Sequence, residues 1–456
     1  MSSASIKISA PVKKLSGTIH LTGSKSESNR ALIMQAMSKG TVTVKNVSEA
    51  ADTVTLLGIL QPSKVESGNV KGETGLPAHS SKLTAQSSNL TAQSSNLIPD
   101  SSYLIPNNPK LVDIGPAGTA MRFLTAYYTL QDGEVTLTGS ARMKQRPIGI
   151  LVDALRELGA EIDYVEKDGY PPINIRGPLK QKSDRVSIKG DISSQYISSL
   201  LLAAPLLEKG LHLVIEGELT SRPYVEMTLA MLSQAGIKYT WDENVIHIPN
   251  QPYANSAISV EPDWSAASYW YAIAALADEA ELFLPGLNGY SLQGDSKITE
   301  IMANFGITSQ FKNGGVHLKK EPKMLERKIF DFKECPDLAQ TVIVVCAALG
   351  HDATFTGLET LKIKETDRVN ALQVELAKIG VKLIEKNLTY KLDCSGRDLS
   401  KSIRVNTYDD HRMAMAFAPL ALVLNEMEIE DHKVVEKSYP NFWSDLESIG
   451  YEIRKV

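Results

Sequence analysis

The sequence predicts an α/β protein of six similar units, arranged as two domains of three units each. In each unit an amphipathic helix runs into a glycine and a short β-rich segment follows at once. A glycine with left-handed backbone closes a helix and lets the chain reverse into a strand. Five of these glycines lie 77, 70, 74 and 70 residues apart, which exceeds the roughly 20–50 residues of a solenoid repeat: Gly159, Gly236, Gly306, Gly380 and Gly450.

A sixth, weaker copy of the pattern ends at Gly58. It lies 101 residues before Gly159, because an insertion spans about residues 61–110. This segment contains LTAQSSN twice in succession and is rich in Ser, Asn, Gln and Pro. Such a composition has few groups that can build a core, so we predict a mobile surface loop.

Composition excludes several classes of protein. A length of 456 residues suits two large domains. The net charge of −5 argues against a nucleic-acid partner held by bulk charge. Three cysteines without a CxxC pair suit a reducing compartment, and the apolar runs are shorter than the roughly 20 residues of a membrane span. We therefore expect a cytoplasmic protein that binds neither nucleic acid nor a membrane.

Two glycine-bearing motifs at predicted helix starts suit an anionic ligand. Residues 23–30 read GSKSESNR, in which backbone N–H groups, hydroxyls, a lysine and an arginine can cradle an anion. A solvated helix end would also explain this run. The glycine spacing differs from that of a P-loop, which disfavours a kinase. Residues 115–122, GPAGTAMR, repeat the logic with a turn that permits close approach of a ligand.

Three further motifs offer cations and neutral polar groups. Residues 142–147, RMKQRP, hold three cations within five residues, for which an exposed basic turn is the common explanation. Residues 193–196, SSQY, and 221–224, SRPY, open predicted helices. Their side chains suit the hydroxyls of a sugar-like ligand, although helix capping alone would explain the serines.

The run KETDR, residues 364–368, predicts a clamp for an anion. If the run is helical, Lys364 and Arg368 lie on one face with Glu365 beside them. Two cations and a carboxylate can then bind an anion and move a proton. An ordinary charged helix surface is the alternative.

A second run near the C-terminus, YDDHRMAM, predicts a buried arginine. Asp409 or Asp410 caps a helix whose remainder is apolar, so Arg412 lies in the first turn of a buried helix. A surface role explains such an arginine poorly. Lys437 is a lone lysine before a turn.

In this order the motifs resemble the 5-enolpyruvylshikimate-3-phosphate synthase family, over nearly the whole chain apart from the insertion. The matching motifs are GSKS..NR, AGTAMR, RMK.RP, SSQ, PY, KETDR and DHRMAM. The resemblance implies an enolpyruvyl transferase fold: two similar domains, each of three βαβαββ units about a pseudo-threefold axis, with the active site in the cleft between them. It implies a first lobe of residues 1–22 and 262–456 and a second lobe of residues 23–261.

The resemblance also implies a reaction: transfer of the carboxyvinyl (enolpyruvyl) group of phosphoenolpyruvate to the 5-hydroxyl of shikimate 3-phosphate, with release of phosphate. The enzyme would be a monomer without metal or organic cofactor, serving chorismate and aromatic amino acid biosynthesis. The implied catalytic residues are Asp337 as proton acceptor, Glu365 as proton donor, and Lys25.

Two subsites follow from the same resemblance. The residues implied for shikimate 3-phosphate are Lys25, Ser26, Arg30, Ser193, Ser194, Gln195, Ser221, Tyr224, Asp337 and Lys364. The residues implied for phosphoenolpyruvate are Lys25, Gly118, Thr119, Arg142, Gln195, Arg368, Arg412 and Lys437.

Three residues depart from the family pattern. Pro116 and Thr360 stand where the family often has Asn, and Phe123 stands where a proline often follows the arginine of AGTAMR. We expect the affinity for substrates or inhibitors to differ from that of the commoner forms. Inhibition by glyphosate, a phosphoenolpyruvate mimic, should therefore change in a variant with Pro116→Asn and Phe123→Pro; unchanged inhibition would count against the expectation.

Two other functions remain open at this point. The sister enzyme that transfers the same group to UDP-N-acetylglucosamine commonly carries a cysteine in a glycine-rich loop, and none of Cys335, Cys346 and Cys394 lies in such a loop. An inactive relative would bind phosphorylated ligands without turnover, which the presence of Asp337 and Glu365 disfavours.

Overall fold

The computed structural model describes residues 5–61 and 109–456, so the predicted insertion lies almost wholly outside the described residues. Within them the chain forms twelve α-helices and 22 β-strands. The helices are α1 (Lys25–Met37), α2 (Ala51–Leu60), α3 (Gly118–Tyr128), α4 (Gly149–Leu158), α5 (Ser194–Ala203), α6 (Arg222–Gln234), α7 (Trp264–Leu276), α8 (Ile298–Ala303), α9 (Ala339–Leu349), α10 (Arg368–Ala377), α11 (His411–Phe417) and α12 (Phe442–Ser448).

The strands are short and follow the helices in a regular order. They are β1 (Ile6–Ser9), β2 (Lys14–Thr18), β3 (Val42–Lys45), β4 (Lys110–Asp113), β5 (Gly133–Thr138), β6 (Glu161–Tyr164), β7 (Ile173–Gly177), β8 (Arg185–Lys189), β9 (Leu211–Glu216), β10 (Thr240–Asp242), β11 (Val245–Ile248), β12 (Ser256–Ser259), β13 (Glu279–Pro285), β14 (Ile307–Lys312), β15 (Gly315–Lys320), β16 (Ile329–Asp331), β17 (Thr354–Thr356), β18 (Lys382–Lys386), β19 (Thr389–Asp393), β20 (Ile403–Val405), β21 (Met427–Ile429) and β22 (Glu452–Lys455).

These elements group into six units, one for each sheet. The unit containing α3 and α4 runs β4-α3-β5-α4-β6-β7 along the chain, and its sheet has the order β4-β5-β7-β6. The pair β4–β5 is parallel, whereas β5–β7 and β6–β7 are antiparallel. The units of α5/α6 and α9/α10 repeat this order. The predicted fold class, α/β with repeated βαβαββ units, is therefore confirmed.

The remaining three sheets combine strands that are far apart in sequence. β2 pairs with β13, β3 with β12, and β1 lies between β21 and β22. In the described residues the sheet of β3 and β12 has two strands, and each of the others has four.

The predicted junction glycines close the second helix of five units. Gly159, Gly236, Gly306, Gly380 and Gly450 all have positive φ, between +71° and +113°. At Gly306 a Cβ would also lie 2.2 Å from the carbonyl oxygen of Glu321, so the close approach of a second segment excludes a side chain. The prediction that a helix ends at Gly58 was wrong, because Gly58 lies inside α2.

Two hydrophobic cores divide the described residues. The first core draws its buried side chains from residues 6–21 and 264–451, and the second core from residues 31–258. Each core contains the helices of three units. We propose that these cores are the two lobes expected from the sequence, with boundaries near residues 22 and 261.

The two connections between the cores run side by side. Gly23 and Pro262 form an antiparallel bridge. The N–H of Ser24 donates to the carbonyl of Glu261 at 2.8 Å, and the N–H of Asp263 donates to the carbonyl of Thr22 at 3.0 Å. The two crossings are thus held together by backbone hydrogen bonds.

A buried carboxyl group lies against this pair of crossings. Oε2 of Glu27 accepts a hydrogen bond from the N–H of Glu261 at 2.9 Å. Burial raises the pKa of Glu27 to about 7, and the carboxyl group of Glu261 adds to the rise, while the hydrogen bond from the Glu261 N–H opposes it. Ionised Glu27 therefore costs stability in the folded state.

The sign of this effect gives a test. When the pKa of a carboxyl group is raised by folding, the group does not lower the free energy of unfolding at pH values below its unfolded pKa of 4.5. It lowers that free energy by the full amount at pH values above about 7. We expect Glu27→Gln to raise the free energy of unfolding at pH 8 by up to about 3 kcal/mol, and by much less at pH 5. Urea unfolding at both pH values measures this, with the exposed Glu49→Gln as control. A gain that is the same at both values would contradict it.

Candidate active site

A cavity between the two cores is lined by residues from both of them. It gathers most of the site residues predicted from the sequence. Those in its lining are Lys25, Ser26, Arg30, Gly118, Thr119, Ser193, Ser194, Gln195, Ser221, Tyr224, Asp337, Lys364, Glu365, Arg368 and Arg412. Arg142 and Lys437 lie outside the lining and contact it through the segment around Glu365.

The first motif places Lys25 at the start of α1. Ser24 caps this helix by accepting the N–H of Glu27, and Asp263 accepts the N–H of Lys25 at 3.1 Å. The Lys25 ammonium lies 3.3 Å from Oδ2 of the buried Asp52. Asp52 also lines the cavity. Sequence reasoning missed it, since a single acid in the first turn of a helix is a common helix-start signal.

Arg30 is buried and its donors are used by the protein. Nε donates to Thr228 at 2.7 Å and Nη1 to the carbonyl of Ser26 at 2.9 Å, while Nη2 donates to Ser198 and to the carbonyl of Tyr224. The guanidinium group stacks over Phe123 with its Cζ 5.4 Å from the ring centroid. Arg30 therefore holds in place the wall that carries Ser26 and Tyr224.

The three departures from the family pattern occupy different environments. Phe123 is buried beneath Arg30. Thr360 lines the cavity, and its buried hydroxyl has no hydrogen-bond partner among the described residues. Pro116 is exposed and lies outside the cavity lining.

Two polar clusters form the wall on the side of the second core. Ser193 caps α5 by accepting the N–H of Gln195, and Nε2 of Gln195 donates to Thr119 at 3.3 Å. Ser221 has left-handed backbone with φ +54° and makes no side-chain cap. Its N–H donates to the carbonyl of Lys333 in the other core at 3.1 Å. Capping thus accounts for Ser193 and not for Ser221.

The anion clamp was predicted on the assumption that the KETDR run is helical, and the structure shows that it is not. A 3₁₀ turn ends at Ile363, Lys364 is extended, and α10 begins only at Arg368, because Asp367 caps it by accepting the N–H of Asn370. The cations still converge. Nζ of Lys364 lies 3.9 Å and Nη1 of Arg368 lies 3.0 Å from Oδ1 of Asp337.

Asp337 is a carboxylate surrounded by cations. Arg412 donates from Nη2 to its Oδ2 at 3.0 Å, in addition to the contacts with Lys364 and Arg368. Burial alone would raise the pKa of Asp337, but Arg412, Lys364 and Arg368 outweigh burial and hold the pKa well below its usual range. The group is ionised in this structure.

Glu365 is the second carboxylate of the cavity, and it is partly buried. Nζ of Lys437 and Nη2 of Arg368 each lie 2.9 Å from it, and Nη1 of Arg146 lies 4.0 Å away. Burial opposes ionisation, yet these cations hold the pKa of Glu365 well below its usual range. Arg368 contacts both Asp337 and Glu365, so one guanidinium group couples the two carboxylates.

Asp410 positions two of the arginines. Nε of Arg368 donates to its Oδ2 at 2.7 Å, and the backbone N–H of Arg412 donates to its Oδ1 at 2.9 Å. Asp410, not Asp409, is therefore the cap of α11. Arg412 is buried as predicted.

His411, next to Arg412, has a neutral imidazole in the cavity wall. Burial holds the pKa of His411 well below its usual value, and the nearby cations lower it further.

Arg142 connects the two cores directly. Its Nε donates to the carbonyl of Glu365 at 2.9 Å, and its Nη2 donates to the carbonyl of Lys364 at 3.1 Å. These bonds fix the backbone of the segment that carries Glu365.

No cluster of three or more His, Cys, Asp or Glu residues able to hold a metal ion occurs in residues 5–61 and 109–456. In the same part of the chain, no helix combines the length and apolar character needed to cross a membrane.

Comparison with known proteins identifies the family. The sequence matches the model of a family described as EPSP synthase (3-phosphoshikimate 1-carboxyvinyltransferase) over residues 9–446. The chain belongs to the EPSP synthase family. The family predicted from the motifs is thereby confirmed, and with it a transferase of the shikimate pathway.

Individual EPSP synthase relatives agree with this assignment. The chain is 42% identical over 451 residues to a 3-phosphoshikimate 1-carboxyvinyltransferase of Bacteroides fragilis, covering 98% of both chains. It is 33% identical over 458 residues to the enzyme of that name from Xenorhabdus nematophila, covering 96% of this chain and 97% of the relative.

Solved structures show the same fold. EPSP synthase from Acinetobacter baumannii aligns with a TM-score of 0.71 at 21% identity, covering 99% of this chain and all of that one. The enolpyruvyl transferase NikO from Streptomyces tendae aligns with a TM-score of 0.69 at 14% identity, covering 100% of this chain and 99% of that one. Likeness at these identities concerns the fold.

Proposed function

We propose that the enzyme transfers the carboxyvinyl group of phosphoenolpyruvate to the 5-hydroxyl of shikimate 3-phosphate and releases phosphate. The observation that carries the proposal is the pair of partly buried carboxylates, Asp337 and Glu365, which face one cavity and are coupled by Arg368. The reaction needs one group that takes a proton from the hydroxyl and another that gives a proton to the methylene carbon.

Shikimate 3-phosphate is proposed to bind on the wall of the second core. Lys25 and Ser26, at the N-terminus of α1, suit its phosphate, because an ammonium, a hydroxyl group and the positive end of the helix dipole meet there. The serine and glutamine side chains of the neighbouring helix entries suit its hydroxyls. Asp337 and Lys364 face this wall from the first core.

Phosphoenolpyruvate is proposed to bind among the arginines. Arg368 and Arg412 suit a carboxylate or phosphate because a guanidinium group donates two parallel hydrogen bonds. Lys437 and Arg142 hold the segment around Glu365 from two sides. The remaining predicted contacts, Gly118, Thr119 and Gln195, lie on the opposite wall.

Binding of two anions is proposed to change the protonation of both carboxylates. Arg412 and Arg368 at present neutralise Asp337, while Lys437 and Arg368 neutralise Glu365. Anionic substrates compete for the same cations. The pKa of each carboxyl group then rises, so Asp337 becomes a stronger base and Glu365 can take up the proton that it donates.

The test is phosphate release from purified protein mixed with shikimate 3-phosphate and phosphoenolpyruvate. Release is expected only when both substrates are present. Binding of shikimate 3-phosphate by folded protein without release would favour the inactive relative, and release with UDP-N-acetylglucosamine in place of shikimate 3-phosphate would favour the sister enzyme. ATP hydrolysis would favour a kinase.

We further propose a cytoplasmic monomer that binds neither nucleic acid nor a membrane and needs no cofactor. The three cysteines support a reducing compartment, since all are buried free thiols. Sedimentation at several protein concentrations tests the monomer.

A further inference from the structure

One buried carboxyl group beside the cavity has no assigned role. Asp295 lies in the 3₁₀ turn Gly294–Lys297, is 2% exposed, and stands outside the cavity lining. Its Oδ2 accepts a hydrogen bond from the hydroxyl group of Ser265. Its Oδ1 is buried and has no hydrogen-bond partner among the described residues. The turn packs against the second core, since a Cβ at Gly294 would lie 2.8 Å from Cβ of Pro223 in α6.

A carboxyl group buried in this way costs stability when it is ionised. Burial raises the pKa of Asp295 to about 7, and the nearby carboxylate of Asp337 adds to the rise. Arg412 and the hydrogen bond from Ser265 oppose it. Asp410, another buried aspartate, accepts hydrogen bonds at both of its oxygens. Support of the fold therefore explains Asp295 poorly, and carboxyl groups perturbed by burial and a charged neighbour are typical of functional sites.

Ser265 connects Asp295 to an arginine of the cavity. Nη2 of Arg412 donates to Oγ of Ser265 at 3.1 Å and to Oδ2 of Asp337 at 3.0 Å. A guanidinium group only donates, so the single hydrogen of the serine hydroxyl is left for Asp295. Because an ionised carboxylate only accepts, Asp295 fixes the direction of this hydrogen and leaves a lone pair of Oγ for Arg412.

This chain of hydrogen bonds becomes important when Asp337 releases Arg412. In the proposed function the anionic substrates compete for Arg412, and Asp337 takes the proton of the hydroxyl group. Among the described residues, the side chains that then still hold the guanidinium group are Ser265 and Tyr269, whose hydroxyl accepts from Nη1 at 3.3 Å. We propose that Asp295 is a positioning residue for Arg412 and acts through the hydroxyl group of Ser265. The inference rests on the proposed function.

Steady-state rates at pH 8, with each substrate varied in turn, test the proposal in Asp295→Asn. An amide group can donate as well as accept, so it no longer fixes the hydroxyl of Ser265. The KM for phosphoenolpyruvate should rise about 5- to 30-fold, as expected when a hydrogen bond to a charged group is weakened. The KM for shikimate 3-phosphate and the kcat should change less than about threefold. The matched control is Asp398→Asn, because exposed Asp398 also accepts from a serine hydroxyl, that of Ser400.

Variants of Ser265 separate the proposed chain from general support of the fold. Ser265→Ala removes the connecting hydroxyl, so it should also raise the KM for phosphoenolpyruvate. Adding Asp295→Asn to Ser265→Ala should raise this KM by less than about twofold more, because the chain is already broken. Ser265→Thr keeps a hydroxyl group and should retain more affinity for phosphoenolpyruvate than Ser265→Ala.

Stability should respond to Asp295→Asn in the opposite direction. Ionised Asp295 does not lower the free energy of unfolding below its unfolded pKa of 3.8 and lowers it fully above about pH 7. The variant should therefore match or exceed the wild type in urea unfolding at pH 8. Equal rises in both KM values, fully additive effects of the two substitutions, or a lower free energy of unfolding with unchanged KM would overturn the proposal. Phosphate release by the wild-type protein tests the proposed function separately, since only the ratio of variant to wild type concerns Asp295.

Discussion

Replacing Asp337 with asparagine is expected to lower the kcat of phosphate release by a factor of about 10²–10⁴, the usual contribution of a general base. Asparagine keeps the shape of the side chain and cannot take the hydroxyl proton. The KM for phosphoenolpyruvate should stay the same or fall, because Arg412 and Arg368 are released from their internal carboxylate and can turn to the substrate. Steady-state kinetics with each substrate varied measure both effects.

A suitable control is Asp331→Asn. Asp331 is an exposed residue at the end of β16 that accepts a hydrogen bond from Thr356. It should leave kcat unchanged. A loss of affinity for both substrates in Asp337→Asn, together with a lower melting temperature, would mean that the residue only supports the fold. A kcat within threefold of the wild-type value would exclude Asp337 as the base.

Replacing Glu365 with glutamine is expected to lower kcat by a similar factor of about 10²–10⁴, because no carboxylic acid then remains next to the methylene carbon. A second effect concerns protons. The pKa of Glu365 is held low by Lys437, Arg368 and Arg146, and it should rise when substrates engage these cations. Substrate binding should therefore be accompanied by proton uptake. The affinity for substrates should increase as the pH falls from the pKa of Glu365 in the complex towards its lower pKa in the free enzyme.

Calorimetry in two buffers of different ionisation enthalpy measures the uptake. The Asp337→Asn background prevents turnover during the titration. Adding Glu365→Gln to that background should remove the proton uptake, whereas Glu385→Gln, in a surface pair with Lys362, should not. Equal uptake with and without Glu365 would contradict its role as the proton donor.

Local sequence signals predicted most of the fold because they act over a few residues. The junction glycines need left-handed backbone, so five of them mark real helix ends. Gly58 failed since glycine is also tolerated inside a helix, at a cost of about 1 kcal/mol. The KETDR run failed for a different reason. Asp367 competes with the helix as a cap, and the sequence alone does not say which interaction prevails.

The predicted site was more complete for residues than for their partners. The motifs named the cations, but which cation meets which carboxylate depends on contacts between distant segments. Arg142 and Arg146 looked alike in an apparently exposed basic turn, and only packing against the other core distinguishes them. Asp52 and Asp410 were missed or left open for the same reason, since burial and pairing of an acid are not visible in one sequence.

The central position of β1 in its sheet has a consequence during synthesis. Its partners, β21 and β22, begin at Met427 and Glu452, so a ribosome that adds ~5–20 residues per second needs roughly 20–90 s to synthesise them after Ser9. The second core is formed by one continuous part of the sequence and can fold in this interval. During the same time both edges of β1 have no neighbouring strand to pair with. β1 can therefore pair with wrong strands until β21 and β22 have been synthesised.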